Sequence, residues 1–437
     1  MKVLKFGGTS VGSVENMRSV MQLITDGERK IVVLSAMSGT TNNLVEISEL
    51  LYQKKLMDAK EAIKKLETKY DSVIETLYAS ESYKQKGKKH IKEIFDTIKS
   101  YTEGEFDQNG ENAILAQGEL MSTGMFNYLL QENGFKSELI PALDFMRIDA
   151  EKMADEKAIT EKIKPFIEAT SNTDYIITQG FICRNIEGNI DNLQRGGSDY
   201  TATLIGAAIN SEVVEIWTDI DGFHNNDPRF VENTSKIDQL SFAEAAELAY
   251  FGAKILHPST VLPCREKNIP VRLKNTMNPS DSGTLIDNKP MGRGIKAIAA
   301  KDGITAIKVR SHRMLMAYGF LRKIFEIFEN FKTPIDMITT SEIAISLTID
   351  NTRYLNDIVP LLEKLGEVEV DSDQTIVCVV GHNIIHEKGF EKKIFKALET
   401  VPIRMISFGG SNHNMSILMH SDYKKFSLNA LSKELFE

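Results

Sequence analysis

A lysine followed by paired glycines and hydroxyls opens the chain, as Lys5-Phe6-Gly7-Gly8-Thr9-Ser10. Val3, Leu4 and Phe6 make the approach an apolar strand, while Gly7 and Gly8 let backbone N–H groups come close to a ligand with no Cβ in the way. Thr9 and Ser10 are placed to cap a helix that carries Val14, Met17 and Met21. A lysine beside glycine amides at a helix start is a cradle for phosphate. The Walker A order Gly-x-x-x-x-Gly-Lys-Ser/Thr is absent, and Gly7-Gly8-Thr9 is not a G-x-G-x-x-G dinucleotide turn. An ordinary strand-turn-helix corner would look the same over these ten residues, so their meaning depends on the rest of the chain.

A second site of the same design lies at Arg195-Gly196-Gly197-Ser198-Asp199, where an arginine, two glycines and two possible N-caps precede the small-residue helix from Thr201 to Ile209. Around these two stretches, apolar strands end and polar residues begin at Lys5, Ser35, Gly180 and Thr218. In open α/β sheets ligands bind outside the carboxyl ends of the strands, so these four points are expected to converge on one crevice. Helical patterns between them imply a mainly parallel sheet. Glu119, ahead of the amphipathic helix through Met125 and Leu129, reads on its own as a helix acid. Asp219 and Asp221 could pair on a metal, although turn acids more often bond their own backbone, and His224 lacks a second histidine at ligand spacing. Gly252 reads as a C-cap, with Lys254 near whatever the preceding loop holds.

The elements that must position these residues follow from length and pattern. A chain of 437 residues allows two or three domains, and 42% hydrophobic with 26% charged residues suits a globular protein. No apolar run reaches a membrane span and no leader-like segment stands at the start, which points to the cytoplasm and away from membranes. A net charge of −9 argues against nucleic acid, and Lys84, Lys86, Lys88 and Lys89 read as a solvated face. Cys183, Cys264 and Cys378 have neither pairing nor metal spacing and read as buried thiols. Residues 44–101 look helical and carry no visible chemistry.

Beyond about residue 295 the chain repeats itself. Gly319-Phe320-Leu-Arg-Lys323-Ile324-Phe325 recurs as Gly389-Phe390-Glu-Lys-Lys393-Ile394-Phe395, and Pro334-Ile335-Asp336-Met337-Ile338 as Pro402-Ile403-Arg404-Met405-Ile406. A serine-bearing loop, at Ser341 or Ser411, and an alternating strand follow in each copy. Two α+β units of roughly 70 residues are therefore expected.

Taken together, the motifs resemble those of the aspartate kinase (aspartokinase) family with a C-terminal pair of ACT modules. Lys5-Phe-Gly-Gly-Thr-Ser-Val, Arg195-Gly-Gly-Ser-Asp199, Trp217-Thr-Asp219, Asp227-Pro-Arg229, Phe251-Gly-Ala-Lys254-Ile-Leu-His257-Pro258 and Ile338-Thr-Thr-Ser341-Glu match in order and spacing. The resemblance implies an α/β amino-acid-kinase αβα sandwich over 1–294, followed by two ferredoxin-like ACT modules over 295–437. Of these, about 311–380 would be the first module, and 295–310 plus 381–437 the second. A homoserine dehydrogenase domain, present in bifunctional relatives, has no room in 437 residues.

By the same resemblance, Lys5 and Asp199 are the catalytic residues. Ser35, Thr41, Glu119, Phe181, Arg195 and Ser198 hold aspartate, while Gly7, Gly8, Thr9, Thr218, Asp219, Arg229 and Lys254 line the site for ATP with Mg²⁺. No resident metal site is implied. Met314, Phe320, Leu321, Ile335, Asp336 and Ser341 match a lysine-sensitive effector site, and the ACT pair implies a homodimer or larger. Two positions depart from the family: His224 stands where tyrosine is usual, and Ala317 replaces an effector-site serine. The alternatives are a glutamate or acetylglutamate kinase of the same fold, against which the ACT repeat and Phe251-Gly-Ala-Lys254 count, and a catalytically dead amino-acid-responsive regulator, which would be expected to have lost Lys5, Arg195 or Asp199.

Overall fold

The computed structural model describes the chain except residues 194–195, 253–254, 290–291, 293 and 315–317, and the side chain of Arg313. Two compact units form, one of Met1–Gly222 with Leu256–Asn288, the other of Phe223–Ile255 with Lys289–Glu437.

In the first unit, strands run in the order Ser137–Leu139, Tyr175–Gln179, Lys30–Leu34, Lys2–Phe6, Val214–Thr218, Val271–Asn275 and Thr284–Asp287. All neighbours are parallel except the last pair. Every residue of Lys30–Leu34 and of Tyr175–Gln179 is buried, as a parallel sheet covered on both faces requires. Even Lys30 is satisfied there, donating to the Ile24 and Glu28 carbonyls and to Asp26.

Helix Val14–Ile24 covers the sheet with Met17, Val20 and Ile24, each fully buried and each contributing ~1.5–3 kcal/mol of apolar burial. Its cap is not Thr9 or Ser10. Ser13 Oγ accepts from Asn16 N at 3.1 Å, while Ser10 is buried and bonded to Thr276 Oγ1 at 2.7 Å. The region 44–101 is helical, as Thr40–Tyr52, Leu56–Leu77 and Glu81–Ser100, packed beside Gln108–Glu132. Lys84 and Lys88 both pair with Glu75 at the surface, and the three cysteines are free and buried.

The second unit holds one antiparallel six-stranded sheet, ordered Ile338–Thr340, Ala344–Ile349, Gly294–Arg310, Glu367–His382, Asn414–His420 and Met405–Phe408. The internal repeat is visible in matching helices, Phe320–Asn330 and Phe390–Ala397, which start from Gly319 at φ +80° and Gly389 at φ +82°.

The packing cuts across the expected bounds in two places. The two central strands are long and serve both repeats. Ile307 and Val309 pack with Phe320 and Ile324 in one core, while Ile298, Val377 and Val379 pack with Phe390 and Ile394 in the other. The division between modules thus crosses the register shift near Ile304, rather than falling at 310 and 380. By compactness residues 223–255 fall in the second unit. Phe230 and Val231 join the core of Phe390 and Leu428, and Asn226 Nδ2 donates to Leu428 O at 3.0 Å.

Candidate active site

The parallel register of the first unit aligns the strand ends. Gly7 N donates to Trp217 O at 3.2 Å, Ser35 N to Phe6 O at 3.2 Å, and Gly180 N to Leu34 O at 2.9 Å. The residues that leave the sheet at Lys5, Ser35, Gly180 and Thr218 therefore stand in a row along its carboxyl edge. Phe6 stacks on Trp217 beneath this edge, with ring centroids 5.7 Å apart.

Lys5 meets Asp199 here. Its Nζ lies 2.7 Å from Asp199 Oδ1, and both side chains are largely buried, at 11% and 15% exposure. Asp199 comes from the first turn of helix Gly197–Ile209, which starts from Gly196 in the left-handed region. Ser198 and Asp199 do not cap this helix despite their residue types, since both lie inside its first turn. Helix Thr40–Tyr52 begins in the same way, from Gly39 at φ +79° with no side-chain cap. A left-handed N-cap without a side-chain acceptor suits glycine, and it leaves the first helical amides for another acceptor. Among the described residues, both helices flanking the Lys2–Phe6 edge thus present N–H groups and a positive dipole end to that edge.

Close packing holds the other residues in place. A Cβ on Gly180 would sit 2.5 Å from Ser198 Oγ, and one on Gly197 would sit 2.5 Å from the Phe181 ring. Phe181 has φ +68°, an uncommon conformation for a bulky residue, held by its N–H donating to Thr201 Oγ1 at 3.0 Å. Glu119 is buried, with Oε1 accepting from Ala36 N at 3.0 Å. Burial pushes its carboxyl up to about 7, against the Ala36 hydrogen bond and the charge of Lys5, which act the other way. Ser122 Oγ donates to Ser35 O at 2.8 Å, so the Glu119 helix also fixes the strand end. Thr41, Thr9 and Asp219 are exposed at the same edge, Gly7 and Gly8 are half-buried, and Thr218 Oγ1 donates to Asp219 Oδ1 at 3.1 Å.

Residues 1–275 match the Amino acid kinase family, and residues 377–435 match an ACT domain. Lysine-sensitive aspartokinase 3 of Escherichia coli is 33% identical over 451 residues, covering all of this chain and 99% of that protein. The chain belongs to the aspartokinase family. A solved structure of E. coli aspartokinase III in complex with aspartate and ADP, in its R-state, superposes at TM-score 0.86 with 32% identity and complete coverage of both chains. The T-state structure of the same protein with lysine and aspartate gives 0.83, again at 32% identity with complete coverage of both chains.

The remaining positions implied for an aspartokinase separate into three groups. Arg195 and Lys254 lie outside the described residues, as does Ala317. Arg229 belongs to the second unit, where its guanidinium forks onto Asp227, with Nε 2.9 Å from Oδ1 and Nη2 2.6 Å from Oδ2. The effector-type residues also lie in that unit. Met314 and Ile335 pack against the first repeat's core, Phe320 is part of it, and Leu321 is exposed. Ser341 closes a turn, its Oγ accepting from Ala344 N at 3.1 Å, and the Asp336 side chain is 2% exposed. His224 Nδ1 bonds Thr234 Oγ1 at 2.9 Å.

Sequence reasoning missed several supports. Tyr70, from the helical region that shows no chemistry, bonds Thr40 Oγ1 at 2.7 Å, and Lys69 donates to Ser38 O at 3.4 Å. Gln179 bridges Thr123 Oγ1 and Ala142 N, at 2.8 and 2.7 Å. Only Gln179 carried a signal, as a polar residue at the end of an otherwise apolar strand.

Proposed function

We propose that the first unit transfers the γ-phosphoryl group of ATP to the side-chain carboxylate of L-aspartate, with Lys5 and Asp199 at the reacting atoms. The observation that carries this reading is the Lys5–Asp199 pair, at 2.7 Å, on a strand edge flanked by two uncapped helix starts. The enzyme is an ATP-dependent aspartate kinase. Its product is 4-phospho-L-aspartate, the first intermediate of the lysine, threonine and methionine pathway.

The aspartate carboxylate is already a nucleophile at pH 7, so no strong general base is required. An oxygen of that carboxylate attacks the γ-phosphorus, the bond to the β–γ bridging oxygen breaks, and ADP leaves. Catalysis is then positioning plus electrostatics. Lys5 neutralises charge on the transferred group, and Asp199 orients Lys5. Glu119 receives the substrate ammonium, and that bound charge returns its carboxyl to the ionised form. Arg195 forks onto the substrate's α-carboxylate, and Ser35, Thr41, Phe181 and Ser198 complete the aspartate pocket. Gly7, Gly8, Thr9, Thr218 and Asp219 take the phosphates, with Arg229 and Lys254 assigned to the nucleotide.

Among the described residues no cluster of three or more His, Cys, Asp or Glu side chains could hold a metal. Asp219, exposed at the strand edge, is the carboxylate that would hold Mg²⁺ brought in with ATP. When bound, Mg²⁺ neutralises phosphate charge.

Lysine is the proposed effector, acting through Met314, Phe320, Leu321, Ile335, Asp336 and Ser341. The T-state complex of the E. coli relative with lysine and aspartate supports this choice. Residues 1–294 are assigned to catalysis and 295–437 to regulation. No described helix is long and apolar enough to cross a membrane, and we assign the enzyme to the cytoplasm. Exposed Phe325 and Ile338 in the first repeat, with Phe395 and Phe408 in the second, support assembly into a homodimer or larger.

ADP release with aspartate, glutamate or acetylglutamate, each with and without lysine or threonine, tests the reading. Turnover with aspartate and its suppression by lysine are expected. Turnover with glutamate but not aspartate would refute the substrate, and full activity at saturating lysine would refute the effector.

A further inference from the structure

Asp336 is held from two sides within the second unit. Its Oδ1 accepts from the Tyr250 hydroxyl at 2.7 Å and from Lys301 Nζ at 2.7 Å. Lys301 Nζ also lies 3.0 Å from Asp350 Oδ2 and 4.5 Å above the Tyr250 ring. Burial, with the hydrogen bond to Asp336 and the charges of Asp336 and Asp350, pushes the Tyr250 phenol well above its usual range, so it stays protonated and donates. The other oxygen, Asp336 Oδ2, is buried without a hydrogen-bond partner among the described residues. Two carboxylates against one ammonium leave this cluster one negative charge in excess, with an unsatisfied acceptor at its centre. Both features are costly, and a second ammonium would relieve both.

Tyr250 is also the last residue of helix Phe242–Tyr250, four residues before Lys254. Two residues on, Gly252 has φ +139° and runs so close to the Gly294–Arg310 strand that a Cβ there would sit 2.1 Å from Ala300 O. Ala300 immediately precedes Lys301. Tyr250–Gly252 is therefore held at two points, against the strand backbone at Ala300 and to Asp336 through the Tyr250 hydroxyl.

We propose that Tyr250 is a positioning residue for regulation, and that its hydrogen bond to Asp336 is the link through which an amino-acid ammonium bound at Asp336 acts on the end of helix Phe242–Tyr250 and on Gly252 beyond it. The inference rests on the reading of Asp336 as an effector residue. An ammonium drawn to Oδ2 competes with the phenol for the orientation of one carboxylate, so bonded and released states of Tyr250 differ in effector affinity. That difference is what a ligand needs in order to shift a population.

The test uses the full chain with Tyr250→Phe, which removes the hydroxyl and keeps the ring under Lys301. ADP release is measured with and without lysine, and lysine binding by calorimetry. The uninhibited rate should stay within about twofold and lysine should still saturate the enzyme, with a Kd shifted by the lost coupling, while the inhibition reached at saturating lysine is largely lost. Tyr250→Leu, which also removes the ring, should uncouple inhibition at least as far. Wild-type inhibition of Tyr250→Phe overturns the link alone. Parallel loss of lysine binding and inhibition also overturns it, because Tyr250 would then belong to the binding site. A wild-type enzyme that neither binds lysine nor responds to it overturns the effector reading, and the link with it.

Discussion

Lys5 Nζ lies 2.7 Å from Asp199 Oδ1, bringing together residues 194 positions apart from the first strand and from the first turn of Gly197–Ile209. A charge-assisted contact in a mostly buried setting fixes the ammonium more firmly than the flexible lysine stem would alone. If Lys5 acts on the transferred phosphoryl group, Lys5→Met should lower kcat by about a thousandfold with the fold retained by circular dichroism. Asp199→Asn, which keeps the shape and removes the charge, should cost about tenfold to a hundredfold in kcat with less effect on aspartate KM. A Lys5→Met enzyme with near-normal kcat would remove Lys5 from the chemistry.

Gly180 makes room for Ser198. A methyl group there would meet Ser198 Cβ and Oγ at 2.5 Å and Cα at 2.8 Å, too close to backbone for a rotamer change to relieve. Gly180→Ala should therefore push the helix start off the strand edge, costing about 1–3 kcal/mol of stability and raising aspartate KM by roughly tenfold. Thermal denaturation and substrate titration measure the two effects. An unchanged KM would mean that Ser198 does not contact aspartate.

The cap of the first helix gives a prediction in which catalysis is the control. Ser13→Ala removes the hydroxyl that accepts from Asn16 N and should cost about 0.5–2 kcal/mol in denaturant unfolding, with kcat and KM unchanged. Ser10→Ala should also destabilise, by about 1–3 kcal/mol, because it strands buried Thr276 Oγ1. Equal stability of the Ser13→Ala variant and the wild type would contradict the cap.

These two serines also mark how far the sequence could be read. Strand, glycine turn and helix were legible at 1–24 because period and residue type are local properties, and the parallel sheet followed from repeated apolar strands separated by helices. Which hydroxyl caps the helix was not legible, because Ser10 is taken by Thr276, 266 residues away, and nothing near Ser10 signals that partner. The same limit explains Tyr70, which sits on the buried stripe of an amphipathic helix and looks like any core aromatic until its hydroxyl is found on Thr40. The grouping of 223–255 with the second unit rests on contacts such as Asn226 to Leu428 O, 202 residues apart. The repeat was legible because the chain carries its own comparison, but two long strands shared by both copies blur any linear boundary between them.

Glu119 links pH to both stability and substrate binding. Burial is the main cause that raises its carboxyl from 4.5 to about 7. Between these values the folded chain keeps a proton that the unfolded chain releases, so the favourable contribution of the protonated form is complete below pH 4.5. It is lost as pH rises through 7, for a total on the order of 3 kcal/mol. Glu119→Gln keeps an acceptor for Ala36 N and cannot ionise. The variant should match the wild type in melting temperature near pH 4.5 and exceed it at pH 8. Its function should move the other way. If the ionised carboxylate receives the substrate ammonium, kcat/KM for aspartate in the wild type should fall as pH drops below about 7. In Glu119→Gln it should be about a hundredfold lower at pH 8, with that pH dependence gone. A variant that gains stability at pH 8 yet binds aspartate normally would leave Glu119 as a buried helix acid with no part in recognition.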